Sequence, residues 1–380
     1  MKPKKQSVKQ KKNILPSDQD LVDDLYMRRA LALAEQAYPA PNPQVGAVLV
    51  KQGKIIGEGY HAASGQPHAE ILALQDAERK NILPDGGTLY VTLEPCSHFG
   101  KTPPCVDSIV VAGVKEVVIG CVDQHDVVHG SGVTSLVQAG ISVRVGVCGK
   151  ECSALYKNFF HLMNTKRPFV TLKSAFTLDG KISSAKGRQA TISSEDSRML
   201  VQHLRKDHDA VLVGIGTILA DDPQLNCRIP CGKQPASLII DSRLRIPLHA
   251  NVFKNKSVII ATTSRCDKKK KELLEKKGVR VVVNSGSSVD IPLLLRKLPD
   301  LGIMSVLVEG GSEVNASFLA ANVVDHLCFF IAPTIFGTGV PVFDFQAIGK
   351  QIPPVSLKNV SYRQIGVDIL VEADLFQKNI

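Results

Sequence analysis

The chain has no tryptophan, and aromatic residues make up only 5% of its 380 positions. Proteins that hold single-stranded nucleic acid stack its bases on aromatic side chains, so that mode of binding has little to work with here. No apolar run approaches the roughly 20 residues that span a bilayer. The basic N-terminus is not followed by the apolar stretch of a secretory signal. Neither membrane insertion nor secretion is expected. Cysteine is sparse, nine residues in a long chain, and the number is odd. That usage fits a reducing cytoplasm better than a disulfide framework.

The formal net charge of +10 would suit a nucleic-acid partner, but its distribution argues against one. Lys2, Lys4, Lys5, Lys9, Lys11 and Lys12 crowd a short tail, and Lys268 to Lys271 head a helix that also carries Glu272 and Glu275. Residues 1–20 read as a solvated, disordered tail. The remaining basic excess suits a small phosphorylated substrate. Length alone argues for two domains, because single cores stop growing well before this size.

What the chain does have is a metal-binding pattern. Pro67-His68-Ala69-Glu70 is followed by Thr92-Leu93-Glu94-Pro95-Cys96 and then by Cys105. Catalytic zinc sites keep three protein ligands and leave the fourth position open, whereas structural sites close with four. One imidazole (His68) and two thiolates (Cys96, Cys105) make such a set. Glu70 stands two residues from His68, free to carry protons. A single His or Cys is ordinarily a core or surface residue; it is the conjunction that points to metal chemistry. Zinc nucleobase deaminases share the layout, although their cysteines stand closer together, as Pro-Cys-x-x-Cys. Pro67 suits the first turn of a helix running on through Ile71 to Leu74. Pro103-Pro104 precede a second helix, whose dipole is expected to favour thiolate at Cys105.

Hydrophobic periodicity predicts a helix over residues 20–37, with Leu21, Leu25, Ala30, Leu31 and Ala34 on its apolar face. A strand pair at 45–50 and 54–59 turns at Gln52-Gly53, and further strands lie at 88–93, 116–120 and 143–147. The alternation describes a three-layer α/β sandwich over residues 21–165. A seam is expected at 158–168, with Phe159-Phe160 and Leu162-Met163 as docking surface. A second α/β domain, 166–380, has strands at 169–173, 210–213, 237–241, 258–261, 279–283 and 305–309. Helices are expected at 195–206 and 268–277, and antiparallel additions at 327–331, 360–364 and 368–373. Val308-Glu309-Gly310-Gly311-Ser312 closes a strand and opens a helix, where backbone amides can approach a phosphate. Leu178-Asp179-Gly180-Lys181 and Ala220-Asp221-Asp222-Pro223 are polar turns at strand ends, where α/β proteins place ligands.

With these residues in view, the chain resembles the bifunctional deaminase–reductases of riboflavin biosynthesis from about Leu25 to its C-terminus. The specific blocks are Pro41-Asn42-Pro43-Gln44-Val45-Gly46, His61 with Gly65, the His68 and Cys96–Cys105 motifs, Leu178 to Lys181, Leu204-Arg205, Val213 to Thr217, Ala220 to Arg228, Asp241-Ser242 and Glu309 to Ser312. The resemblance implies a cytidine-deaminase-like domain followed by a dihydrofolate-reductase-like α/β domain. It implies zinc on His68, Cys96 and Cys105, proton transfer by Glu70, and substrate contacts from Asn42, His61, Lys101 and Thr102. In the second domain it puts Lys173, Gln189, Arg205, Leu225, Arg228 and Glu309 on substrate positions. Ala175, Thr191, Thr217, Asp221, Ser242, Gly311 and Ser312 fall on NADPH positions. Arg205 and Arg228 suit a phosphate, which a guanidinium fork binds bidentately.

Three positions depart from the family: Gln189 and Thr191 stand where Ser and Trp are usual, and Asn226 where Thr is usual. The missing aromatic removes a flat packing surface near the cofactor, so a deaminase with a weakened or inactive reductase is the alternative. A tRNA or free-base deaminase would carry Pro-Cys-x-x-Cys and no reductase-like partner, and the chain has neither feature. A nucleic-acid-binding protein with an inert zinc fold would have no use for Glu70. A cytoplasmic homo-oligomer is expected, acting on a phosphorylated pyrimidine and binding neither nucleic acid nor membrane.

Overall fold

A computed structural model describes residues 17–98, 103–123, 130–188, 191–230 and 232–375. The chain divides into two compact units between Phe160 and His161. The first contains α1 (Asp18–Ala34), β1 (Gly46–Lys51), β2 (Lys54–Tyr60), α2 (Ala69–Arg79), β3 (Thr88–Leu93), α3 (Cys105–Val111), β4 (Glu116–Cys121), α4 (Ser131–Gln138), β5 (Ser142–Val145) and most of α5 (Gly149–Thr165). Its five strands run in the order β2-β1-β3-β4-β5. β1 is antiparallel to both neighbours, and β3, β4 and β5 are mutually parallel.

Helix α1 starts in a capping box, in which Ser17 and Asp20 satisfy each other's backbone N–H groups. Its buried face differs from the expected one. Tyr26, Met27, Ala30, Leu33 and Ala34 are buried, while Leu21 and Leu25 are 57% and 64% exposed. Asp23 begins that buried stripe, accepting from the Tyr90 hydroxyl at 2.8 Å, and Leu21 and Leu25 lie off it. Phe159 and Phe160 pack into this unit's own core rather than forming a docking surface.

Two glycines on β2 set where α2 begins. A Cβ on Gly57 would lie 2.0 Å from the Ala73 carbonyl oxygen, and one on Gly59 2.4 Å from that of Ala69. Only glycine lets the strand and the helix backbone come this close. That approach holds the N-terminal turn of α2, with His68 as its N-cap, over the sheet.

The second unit contains β6 (Phe169–Thr177), β7 (Lys181–Ser183), α6 (Glu195–Asp207), β8 (Ala210–Gly214), α7 (Ile215–Asp221), β9 (Ala236–Ile240), β10 (Val258–Thr263), α8 (Lys268–Lys276), β11 (Arg280–Asn284), α9 (Ile291–Lys297), β12 (Ser305–Val308), α10 (Ser312–Ala320), β13 (His326–Ala332), β14 (Val340–Pro341), β15 (Leu357–Ile365) and β16 (Asp368–Leu375). Nine strands form one sheet in the order β11-β10-β9-β8-β12-β6-β13-β16-β15. The expected antiparallel additions are β16 and β15 only, since β13 pairs parallel to β6. β12 returns between β8 and β6, so the chain reverses its direction of travel across the sheet there. The carboxyl ends flanking such a reversal are where open α/β sheets bind ligands.

Candidate active sites

In the first unit, β3 ends at Leu93 and delivers Cys96, α3 opens on Cys105, and α2 is preceded by His68. The His68 Nδ1, Cys96 Sγ and Cys105 Sγ atoms all lie within 4.8 Å of one another. His68 Nδ1 is 3.2 Å from Cys105 Sγ and 3.5 Å from Cys96 Sγ. A tetrahedral zinc with nitrogen and sulfur at their usual bond lengths separates the two by about 3.5 Å, so the three side chains fit the ion.

The thiols differ in character. Cys96 is held down to about 4, first by the hydrogen bond from the Cys105 thiol, whereas that bond and burial push Cys105 up. The Cys105 backbone N–H, at the start of the helix, donates to Cys96 Sγ at 3.4 Å, outside its own side chain's reach. A cation between the two favours thiolate on both. Glu70 is buried beside them, and burial, then the Cys96 thiolate, raise its carboxyl to about 7. A carboxyl poised there can both take and give a proton near neutral pH.

Asn42 and His61 also meet at this site. His61 Nδ1 faces the Pro67 carbonyl at 3.2 Å, which can only accept, so Nδ1 carries the proton. Nε2 then accepts from Asn42 Nδ2 at 3.0 Å. Burial lowers the His61 pKa, consistent with this neutral tautomer. The His61 and His68 rings lie edge to face, 5.2 Å apart. Lys101 and Thr102 lie outside the described residues, as does Gln189.

Sequence reasoning passed over Glu94. Its buried carboxylate accepts three backbone N–H groups, from Asp123 (3.1 Å), Gly130 (3.2 Å) and Val133 (3.1 Å). That anchors the chain two residues before Cys96 to the start of α4. A buried-type Glu immediately before Pro-Cys was the available signal.

In the second unit, Lys173 stands in the middle of β6, and Thr217, Ser242 and Glu309 lie within three residues of the ends of β8, β9 and β12. Arg205 on α6 grips the Glu309 carboxylate through Nε (2.7 Å) and Nη2 (3.1 Å), and its Nη1 donates to the Asn226 carbonyl at 3.0 Å. Lys173 Nζ stands 3.9 Å from the same carboxylate and over the Phe330 ring at 5.7 Å. Burial alone would raise the Glu309 pKa, but Arg205 and Lys173 outweigh it, and the carboxyl sits below the ordinary range. The Arg205 fork thus closes on the Glu309 carboxylate in this structure. Arg228 is exposed, and its backbone N–H donates to Gln202 Oε1 at 2.9 Å. Leu225 is buried and takes a left-handed backbone, φ 58°.

The glycine turns at the ends of β8 and β12 face each other. A Cβ on Gly311 would meet only Thr217 Oγ1, at 4.0 Å, and one on Gly216 would meet nothing within 4 Å. Ser312 Oγ, at the start of α10, and Asn226 Oδ1 are buried with no hydrogen-bond partner among the described residues. Open room over a helix N-terminus, with the unpartnered Ser312 hydroxyl at its start, fits a phosphate-bearing cofactor. Desolvation raises the Asp221 carboxyl at the end of α7. Ser242 gives its carbonyl to the Thr263 hydroxyl at 2.8 Å, and Ala175 lies half-buried on β6. Thr191 is exposed, three residues before the α6 N-cap Ser194. Within Leu178 to Lys181 the Asp179 carboxylate braces the turn, accepting the N–H groups of Phe336 (3.2 Å) and Gly337 (2.8 Å).

Comparison with known proteins agrees with both halves. Residues 21–121 match the cytidine and deoxycytidylate deaminase zinc-binding region, and residues 168–371 match the RibD C-terminal domain. The riboflavin biosynthesis protein RibD of Aquifex aeolicus is 41% identical over 353 residues, covering 92% of this chain and 98% of the relative. That of Escherichia coli K12 is 38% identical over 364 residues, 91% and 98% of the two chains. Among solved structures, Acinetobacter baumannii RibD superposes with a TM-score of 0.74 at 36% identity, over 94% of this chain and 100% of that one. A Thermotoga maritima diaminohydroxyphosphoribosylaminopyrimidine deaminase/5-amino-6-(5-phosphoribosylamino)uracil reductase does so with 0.72 at 38% identity and the same coverage. A cytidine-deaminase-like unit followed by a RibD reductase unit, matched over nearly its whole length, places the chain in the RibD family of bifunctional deaminase–reductases of riboflavin biosynthesis.

Proposed function

We propose that the first unit removes one exocyclic amine from a diaminopyrimidinone bearing a phosphoribosylamino arm, and that the second reduces the ribosyl arm of the product to ribityl. The cofactors are zinc and NADPH. The observation that carries the reading is the convergence of His68, Cys96 and Cys105 with Glu70 buried alongside. Zinc, when bound, supplies the Lewis acidity that activates water near neutral pH. Glu70 moves protons from that water to the departing amine, while Asn42 and neutral His61 hold the pyrimidine. In the second unit NADPH supplies the hydride. Gly311, Ser312 and Thr217 seat its phosphates, and Arg205 fixes Glu309 against the sugar arm. Arg228, the guanidinium left exposed, takes the substrate phosphate.

A deaminase with a lapsed reductase is not favoured, because the ion-paired Glu309 and both glycine turns stand intact. Supplying the diaminopyrimidinone ribotide with and without NADPH, and identifying the products by mass spectrometry, tests the assignment. Deaminated ribosyl product without NADPH and ribityl product with it are expected; an unchanged diamine in both would refute it. We place the division of labour near residue 165, so a fragment of residues 1–166 should deaminate alone. The molecule acts on a small-molecule substrate, and no described helix is long and apolar enough to cross a membrane. Exposed Leu357, Val360 and Tyr362 on the edge strand β15 support a homo-oligomer, and the cysteine usage supports a cytoplasmic one.

A further inference from the structure

Asn42 sits on a stretch without regular structure between α1 and β1, so something else must fix its reach into the deaminase site. Two fully buried hydroxyls do so. The Gly46 N–H donates to Thr92 Oγ1 at 3.1 Å, and Tyr156 Oη donates to the Gln44 carbonyl at 3.0 Å. The hydroxyls meet at 2.5 Å. Because a carbonyl can only accept, the Tyr156 proton is committed to Gln44, and Tyr156 Oη must accept from Thr92. The result is a one-way chain from Gly46 through Thr92 and Tyr156 to Gln44, closed around Val45.

Val45 continues the linkage. Its carbonyl accepts the His61 N–H at 2.9 Å, and His61 Nε2 accepts from Asn42 at 3.0 Å. Thr92 belongs to β3, the strand that delivers Cys96, and Tyr156 belongs to α5. The hydroxyl pair therefore ties the segment bearing Asn42 to the strand that positions the metal ligands. Each hydroxyl also satisfies a backbone group, the Gly46 N–H or the Gln44 carbonyl, so losing either leaves that group unpaired on the segment that carries Asn42.

We propose that Thr92 and Tyr156 are positioning residues for the deamination: without touching the substrate, they set the distance between Asn42 and the metal strand, and so the affinity for the pyrimidine. The proposal rests on the reading of Asn42 as a substrate contact. Its test is steady-state deamination of the diaminopyrimidinone ribotide by the full-length, zinc-loaded protein. Tyr156→Phe should raise KM on the order of tenfold, the effect of one lost hydrogen bond, and leave kcat within about twofold. Zinc content and NADPH-dependent reduction should not change. Thr92→Val should behave alike, Thr92→Ser, which keeps the hydroxyl, should restore KM, and the Thr92→Val/Tyr156→Phe pair should be little worse than either alone.

Wild-type KM in Tyr156→Phe and Thr92→Val, beside a raised KM in Asn42→Ala, would overturn the proposal. So would a joint fall of kcat, zinc content and melting temperature in both variants, which would mean that the hydroxyls only hold the fold. A wild-type KM in Asn42→Ala would instead remove the substrate-contact reading, and the proposal with it, whatever the Tyr156 variant does.

Discussion

The two sites solve opposite electrostatic problems. In the first unit two thiols and an imidazole crowd together with a buried carboxyl, a set poor in positive charge that is completed by a cation. In the second, a buried carboxylate is already gripped by Arg205 and faced by Lys173, while the unpartnered Ser312 hydroxyl and open glycine turns suit an anionic cofactor. The first site depends on its metal for charge balance; the second carries its own cations. Loss of one side chain should therefore show as lost chemistry in the first unit and as lost stability in the second.

Glu70→Gln breaks the comparison most sharply. The amide keeps the shape of the buried side chain but cannot exchange protons, so deamination should fall on the order of a hundredfold to ten-thousandfold. Zinc should remain at one per chain by elemental analysis, and reduction of the deaminated phosphate should continue. A variant with near wild-type turnover would leave Glu70 without its role. Cys96→Ser attacks the same site through the metal. With one of its three ligands gone, zinc should be lost from the purified protein, and full occupancy would reject the ligand set.

Glu309→Ala is the matching experiment in the second unit. Removing one partner of a buried pair leaves Arg205 uncompensated, at a cost of about 3–5 kcal/mol. The unfolding transition of that unit should move to lower denaturant, while deamination by the first unit persists. If denaturation curves of variant and wild type coincide, the Arg205–Glu309 pair does not hold the unit together.

Legibility in the sequence followed the same division. His68, Glu70, Cys96 and Cys105 were readable because metal chemistry demands particular residue types near helix starts, and those types are rare enough to stand out. Strand positions were readable because buried parallel strands are continuous apolar runs. The burial of α1 was not, because Leu21 and Leu25 draw the apolar stripe onto a face that the folded helix turns to solvent, while the buried stripe begins at the charged Asp23. The ion pair of Arg205 was hidden for a related reason. Its fork suits phosphate and carboxylate equally, and its partner Glu309 lies 104 positions away in sequence. Thr92 and Tyr156 carried no signal, since both residues are ordinary strand and helix members until the fold brings their hydroxyls together.

The smallest expected effect concerns Thr191, where the family's aromatic is missing. The position is exposed just ahead of α6, so an indole there meets no packed neighbour it must displace. An aromatic contact adds about 0.5–1.5 kcal/mol beyond the area it buries. Thr191→Trp should therefore tighten NADPH several-fold, read as a lower Kd by cofactor fluorescence with no substrate present. Deamination should be untouched, because no group assigned to that step belongs to the second unit. An unchanged Kd would mean that Thr191 does not border the cofactor, and that the contacts at Gly311, Ser312 and Thr217 suffice without a flat surface. A weaker Kd would mean that the indole blocks the cofactor's path, which would make the absence of tryptophan here a fitted feature of this chain's pocket.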